Sequence, residues 1–162
     1  MNKRLYLVLA AGLLACPGAQ AQEARPIRMI VPFSGGSASD VITRILVERI
    51  SAATGQRFVM DNRPAAGGNL GTQLVAKATP DGYNFGMSAS GPLAANKTLY
   101  KDLGYDPERD IQAVSLFASL PNVVVVSAKL PINTIHELID YVKKTPNVPY
   151  GSVGNGSAQH LA

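Results

Sequence analysis

The chain has little of the chemistry that most enzymes and metalloproteins use. It contains one cysteine, Cys16, and two histidines, His136 and His160. A single cysteine cannot form an internal disulfide or a thiolate cluster. No G-x-S-x-G or H-E-x-x-H sequence and no clustered Asp/Glu/His set is present, although His136 lies among Glu137 and Asp140 on a predicted helix. Neither a nucleophile–base pair nor a metal site is predicted, and we expect no catalytic residue, no metal and no cofactor.

The chain also has few charged residues and no long apolar run. Charged residues make up 16% of the chain, and the formal net charge is only +4. So small and scattered an excess of positive charge is too little for a nucleic-acid interface. The longest apolar run, residues 5–15, is shorter than the roughly 20 residues that span a bilayer.

The first 21 residues have the pattern of a secretory signal peptide. Lys3 and Arg4 precede the apolar run, and an A-x-A sequence follows at residues 19–21, so cleavage before Gln22 and export to the periplasm are predicted. Loss of the two basic residues lowers the net charge to +2. A second interpretation uses residues 13–16 (LLAC) as a lipobox, in which Cys16 would carry the lipid.

After the signal peptide, the sequence alternates between strand and helix patterns. Residues 26–33 form a β-branched apolar run, as expected of a strand covered on both faces. Ser37 and Asp40 then have capping-box spacing, in which Ser37 caps a helix and Asp40 bonds back to the Ser37 backbone N–H. The helix that follows has an apolar face made of Val41, Ile42, Ile45, Leu46 and Ile50.

The pattern repeats along the chain. It predicts strands at residues 57–60 and 83–88, helices at 70–78 and 134–144, and a turn at 80–82. Residues 93–109 look irregular, and 100–107 in particular resemble a surface excursion. Strands that alternate with helices at this spacing indicate an α/β fold with a parallel sheet and right-handed crossovers.

Three glycine-rich segments, residues 34–37, 67–72 and 151–157, follow strand-like runs. Free N–H groups at helix N-termini attract carboxylate or phosphate, and ligands of parallel sheets bind beyond the carboxyl ends of the strands. The segments therefore predict a pocket for a small anion, although each could be an ordinary βα connection. None fits a P-loop or the G-x-G-x-x-G fingerprint.

Four individual residues have competing interpretations. Asp40 fits a structural cap better than a ligand contact. Arg63 fits a structural tie to its own loop better than a carboxylate fork. His136 is expected on a solvated helix face. His160 either approaches a ligand through its N–H or is a plain helix residue.

Four motifs carry a resemblance to a known family. They are residues 30–40 (IVPFSGGSASD), 61–72 (DNRPAAGGNLGT), 80–83 (PDGY) and 150–162 (YGSVGNGSAQHLA). In this order they resemble the Bug family, the periplasmic solute-binding proteins associated with tripartite tricarboxylate transporters.

The resemblance implies a two-lobed, type II periplasmic-binding-protein fold that closes on a carboxylated metabolite and delivers it to a membrane permease. It also implies a monomer with a first lobe at residues 22–112 and the hinge crossing and start of a second lobe at 113–162. The implied ligand-binding residues are Phe33, Ser34, Gly35, Gly36, Ser37, Asp40, Ser88, Ser90, Gly154, Asn155, Gly156, Ser157 and His160.

The chain departs from the family in two ways. Ser34 and Ser37 add hydroxyls to the first glycine turn, and family members are about twice as long. We expect an incomplete second lobe, with apolar residues 123–126 poorly covered. Three alternatives to a transport receptor stay open: a sensory module for a membrane kinase, a truncated remnant that does not bind, and an exported enzyme.

Overall fold

The structure is a computed structural model that describes residues 25–162. The predictions that concern the signal peptide at residues 1–21, its cleavage site and the lipobox cysteine Cys16 lie outside the described residues.

A three-stranded parallel sheet forms the centre of the molecule. Its strands are β1 (Ile27–Val31), β2 (Phe58–Asn62) and β3 (Asn84–Gly86), in the spatial order β2-β1-β3. β1 pairs with β2 from Ile27 opposite Phe58 to Val31 opposite Asn62, and with β3 from Arg28 opposite Asn84. The central position explains the apolar sequence of β1, whose residues Ile30 and Val31 are fully buried. The predicted parallel α/β sheet is confirmed.

Helices connect and follow the strands. α1 (Ala38–Thr54) joins β1 to β2, and α2 (Asn69–Ala76) joins β2 to β3 after a 3-10 turn at Ala66–Gly68. A π-helical turn, Gly91–Ala95, continues into α3 (Asn96–Leu99), and α4 (Ile135–Lys144) and α5 (Ala158–Leu161) follow. The predicted strands and helices are present within a few residues of their expected bounds, with β3 shorter than the predicted 83–88.

The buried face of α1 differs in part from the predicted one. Of the predicted apolar residues, Val41 and Ile45 are 46% and 55% exposed, while Ile42, Leu46 and Ile50 are half-buried. The buried residues are Asp40, Thr43 and Val47, which follow one another at helical spacing. Asp40 lies under the β1–α1 turn, as described below, so the most buried side of α1 begins at this carboxylate.

The prediction of irregular structure at residues 93–109 is wrong for residues 93–99, while residues 100–109 have no helix or strand, as predicted. The predicted surface excursion at 100–107 is wrong at Tyr105 and Pro107, which are buried. Residues 91–99 are helical, and Tyr105 is buried, with its hydroxyl donating to the Pro92 carbonyl oxygen at 2.8 Å. Burial raises the pKa of the Tyr105 phenol. The segment therefore packs back onto its own helical turn.

Residues 112–126 contain neither helix nor strand and have large exposed apolar side chains. Val123, Val124 and Val125 are 76%, 71% and 82% exposed, which agrees with the expected poor cover of this run. Within residues 25–162, no helix has the length and apolar character that crossing a membrane requires.

Candidate functional site

One large, open cavity of about 1880 Å³ extends from the amino ends of the strands, at Ile27 and Gln56, along one face of the sheet to the loops at the carboxyl ends. Seven of the predicted site residues line it: Phe33, Ser34, Ser37, Ser88, Ser90, Gly154 and Ser157. The other six, Gly35, Gly36, Asp40, Asn155, Gly156 and His160, belong to the same loops but not to the lining. The structure therefore brings the three glycine segments together around one space, although they are far apart in sequence.

The turn between β1 and α1 is held from beneath by Asp40. This carboxylate is 2% exposed and accepts hydrogen bonds from the Gly36 N–H at 2.8 Å and from Arg44 Nε at 2.9 Å through one oxygen. Its other oxygen accepts from Asn62 Nδ2 at 2.9 Å. The predicted capping box is corrected here, because Asp40 reaches Gly36 and not Ser37. Ser37 Oγ does accept from the Asp40 N–H, at 3.3 Å.

The same network ties the turn to the end of β2. Asn62 Nδ2 also donates to the Phe33 carbonyl oxygen at 3.1 Å, and Arg44 donates to Asn62 Oδ1 at 3.2 Å. The hydrogen bonds from Arg44, Gly36 and Asn62 outweigh the effect of burial and lower the pKa of Asp40 to about 2. Asp40 is thus a carboxylate whose charge is matched inside the protein, and it shapes the turn that faces the cavity.

The first turn of α1 has backbone donors available at the cavity. Ala38 and Ser39 both line the cavity, and among the described residues neither amide N–H has a hydrogen-bond acceptor. The following donors are used inside the turn, since Asp40 N–H reaches Ser37 Oγ and Val41 N–H reaches the Ser37 carbonyl at 2.9 Å. Two N–H groups at the start of a 17-residue helix can bind one anionic group, helped by the helix dipole.

The end of β3 contributes hydroxyl groups. Thr72 Oγ1 donates to the Gly68 carbonyl oxygen at 3.0 Å and lies 2.8 Å from Ser88 Oγ, from which it then accepts a hydrogen bond. Thr72 is buried, Ser88 is half-buried and Ser90 is exposed. Ser88 is therefore positioned by α2.

The third glycine segment folds back onto its own short helix. Ser157 Oγ accepts from the His160 N–H at 3.2 Å, and His160 Nδ1 accepts from the Gly156 N–H at 3.3 Å. The His160 ring stacks on Tyr150 with centroids 6.3 Å apart. Since Nδ1 is an acceptor in this arrangement, a neutral His160 has its proton on Nε2.

Three residues of this region escaped prediction from sequence: Asn62, Arg44 and Thr72. Asn62 and Thr72 lie within the 61–72 motif, but nothing in the sequence shows that their side chains reach the first turn and β3. Arg63 agrees with its predicted structural role, because its Nε donates to Asp61 Oδ1 at 2.7 Å. His136 is exposed, as predicted.

Known proteins share this sequence over most of its length. A UPF0065 protein of Bordetella bronchiseptica is 40% identical over 96% of the chain and 47% of its own length. Protein BugT of Bordetella pertussis is 36% identical over 95% of the chain and 48% of its own length. The chain spans about half the length of these curated relatives.

Solved structures share the fold. A periplasmic transporter superposes with a TM-score of 0.80 and 38% identity over 87% of this chain and 48% of its own. R. palustris Rpa4515 with adipate superposes with a TM-score of 0.77 and 36% identity over 84% of this chain and 46% of its own. MatC (Rpa3494) from Rhodopseudomonas palustris with bound malate superposes with a TM-score of 0.51 and 31% identity over 54% of this chain and 30% of its own.

The periplasmic binding protein BugD superposes with a TM-score of 0.70 and 34% identity over 85% of this chain and 46% of its own. The fold is therefore that of periplasmic binding proteins. The sequence profile described as "Tripartite tricarboxylate transporter family receptor" matches residues 42–162. With this match and with relatives such as BugT at 36% identity, the chain belongs to the tripartite tricarboxylate transporter receptor family.

Proposed function

We propose that this protein binds a small carboxylated metabolite in the periplasm and presents it to the permease subunits of a tripartite tricarboxylate-type transporter, without catalysing a reaction. The observation that carries the proposal is the pair of amide N–H groups, Ala38 and Ser39, at the cavity end of α1. Donors of this kind recognise a carboxylate without a charged side chain.

Among the described residues, the cavity lining has no lysine or arginine and one charged residue, Asp110, whose carboxylate accepts a hydrogen bond from the Asp106 N–H. In this proposal the anion is therefore bound by backbone N–H and hydroxyl groups and not by a charged side chain. Asp40 is the acidic group nearest these donors in sequence, and its charge is already matched by Arg44 and by two further hydrogen bonds. Among residues 25–162, no group of three or more His, Cys, Asp or Glu side chains could hold a metal ion. The structural neighbours that carry adipate and malate support a carboxylate ligand.

In this proposal the residues of the site have different roles. The turn of Phe33, Ser34, Gly35, Gly36 and Ser37 surrounds the carboxylate together with Ser88 and Ser90. Asp40 positions that turn from below. The segment of Gly154, Asn155, Gly156 and Ser157, with His160, closes the opposite side. Residues 22–112 act as a first lobe, residues 113–162 as the hinge crossing and start of a second, and the protein acts as a monomer.

A ligand-dependent shift in thermal unfolding tests the proposal. We expect adipate or malate to raise the unfolding temperature of the purified chain, because a ligand at 100 times its Kd stabilises the folded state by about 2.7 kcal/mol. Adipamide, which has the length of adipate without its charge, is the matched control and should give no shift. Equal shifts with adipate and adipamide, or none with either acid and with a wider set of small carboxylates, would contradict the proposal.

A further inference from the structure

The third glycine segment is seated on the first part of the chain by an unusually close backbone contact. A Cβ atom placed on Gly91 would overlap the Gly156 carbonyl oxygen, and one placed on Gly67 would overlap the Asn155 carbonyl oxygen. Gly156 in turn approaches Asn96 so closely that its own Cβ would overlap the amide of that side chain. Only residues without a side chain allow such an approach.

Polar and buried groups complete the contact. The Tyr100 hydroxyl donates to the Asn155 carbonyl oxygen at 2.9 Å. Asn96 is fully buried under Gly156 and is fixed by its own bond from Nδ2 to Asn69 Oδ1 at 2.5 Å. Gly156 and Ser157 are buried where they meet these residues. Every partner in this contact belongs to the chain itself.

We propose that Gly67, Gly91, Gly156 and Tyr100, which we call the glycine contact, are positioning residues that hold residues 154–157 at the cavity before a ligand binds. The consequence for binding rests on the proposed function: a segment already in place loses little conformational freedom when the ligand arrives, and such preorganisation increases affinity. None of the four except Gly156 was predicted as a site residue, and Gly91 and Tyr100 do not line the cavity.

The chain offers a matched control for a substitution in the glycine contact. Gly91 and Gly151 both have backbone angles that any residue can adopt, since neither has a positive φ. A Cβ on Gly91 would meet backbone atoms of Gly156, whereas a Cβ on Gly151 would meet nothing within 4 Å. Gly91→Ala should therefore force the two segments of the glycine contact apart. Gly151→Ala adds the same methyl group to the third glycine segment, at a position that does not take part in the glycine contact.

Hydrogen exchange on the purified chain without added ligand tests the positioning role. We expect Gly91→Ala to speed amide exchange in residues 152–160 by about tenfold or more, while exchange in β1 stays unchanged. Gly151→Ala should leave both regions as they are. If Gly91→Ala does not change residues 152–160, or speeds exchange equally in β1, the glycine contact has no positioning role.

Tyr100→Phe is a milder variant, needed if Gly91→Ala does not fold. It removes only the hydroxyl that binds Asn155, and we expect it to speed exchange in the same residues by a smaller factor; no change there would also overturn the proposal. The adipate titration is a separate readout. Binding should be weaker in Gly91→Ala than in Gly151→Ala, and unaltered affinity would contradict the link to binding. A wild-type chain that binds no carboxylate refutes the proposed function and leaves the exchange result valid.

Discussion

Asp40 shows how a single buried residue can shape a turn that borders the cavity. Its two oxygens accept hydrogen bonds from Gly36, Arg44 and Asn62, which belong to the turn, to α1 and to β2. These bonds lower the pKa of Asp40 to about 2, while an unfolded chain has the ordinary value of 3.8. The charged form is therefore favoured by folding, and the position of the turn depends on that charge.

Replacing Asp40 with asparagine should destabilise the protein at neutral pH. In Asp40→Asn one acceptor oxygen becomes an amide donor that faces the donors of Asn62 or of Gly36 and Arg44, so we expect a loss of about 1–3 kcal/mol in the free energy of unfolding. Urea unfolding at pH 7 measures it. Asp140→Asn, on the exposed face of α4, is the control and should change stability by less than about 0.5 kcal/mol.

The same pair of proteins gives a pH dependence. Because folding lowers the pKa of Asp40, its contribution of about 2 kcal/mol is fully present above pH 4 and is lost as the pH falls from 4 towards 2. The difference in unfolding free energy between wild type and Asp40→Asn should be constant from pH 7 to pH 5 and should shrink below pH 4. A difference that stays the same at pH 2.5 would show that the charge of Asp40 is not the cause.

Ala38→Pro tests the proposed backbone donor directly. Proline fits the first position of a helix, and Ser37 before it already has the extended conformation that proline requires, with ψ at 160°. The variant removes the N–H of a residue that lines the cavity, so we expect weaker binding of adipate by roughly tenfold, the effect of losing one hydrogen bond to a charged group. Thermal unfolding without ligand should change little. Ala38→Ser keeps the N–H and should bind as wild type does.

At the scale of secondary-structure elements, α1 is oriented by its polar first turn as much as by its apolar residues. Asp40, Thr43 and Val47 face the interior, whereas Ile45, which the apolar pattern placed inside, is largely exposed. The hydrophobic pattern alone cannot predict that an ion-paired carboxylate at the third position of the helix is buried.

The rotation of α1 predicts an unequal effect of two truncations. Val47→Ala should lower the free energy of unfolding by about 1–2.5 kcal/mol, since Val47 is 7% exposed and packs in the cluster with Met29 and Val31. Ile45→Ala removes more atoms but should cost about 0.5 kcal/mol or less, because its side chain is exposed. Chemical denaturation of both variants decides the question, and a larger loss for Ile45→Ala would mean that the predicted face was right.

Sequence predicted the fold well and the site only in outline. The strands, α1 and α2 follow from local alternation of apolar runs and turns, and the three glycine segments do meet around one cavity. The side-chain partners Asn62 and Thr72 could not be foreseen, because they act on other elements across the sheet. The packing of Gly156 against Gly91 was equally hidden, since it joins segments distant along the chain and depends on the absence of side chains.

At the scale of the whole molecule, one region is built from segments close together in sequence, and a second region joins it through contacts between segments far apart in sequence. The sheet and the two helices that connect its strands form within residues 27–86, where β2 follows its neighbour β1 after one helix and β3 follows β2 after another to pair on the other side of β1. Residues 112–126 then run without regular structure to the segment that returns to the cavity. The cavity is thus lined by one compact unit and by a segment distant in sequence, and the glycine contact joins the two.

This division has a consequence for folding kinetics. Tyr100 and Asn155 are 55 positions apart in sequence, and closing so long a loop costs entropy before its contacts compensate. We expect the return to form after the folding barrier, so Gly91→Ala should speed unfolding and leave the folding rate nearly unchanged, whereas Val47→Ala should slow folding. Stopped-flow measurements across denaturant distinguish the two. The contact that completes the site would then govern the lifetime of the folded molecule, while the sheet governs how fast it forms.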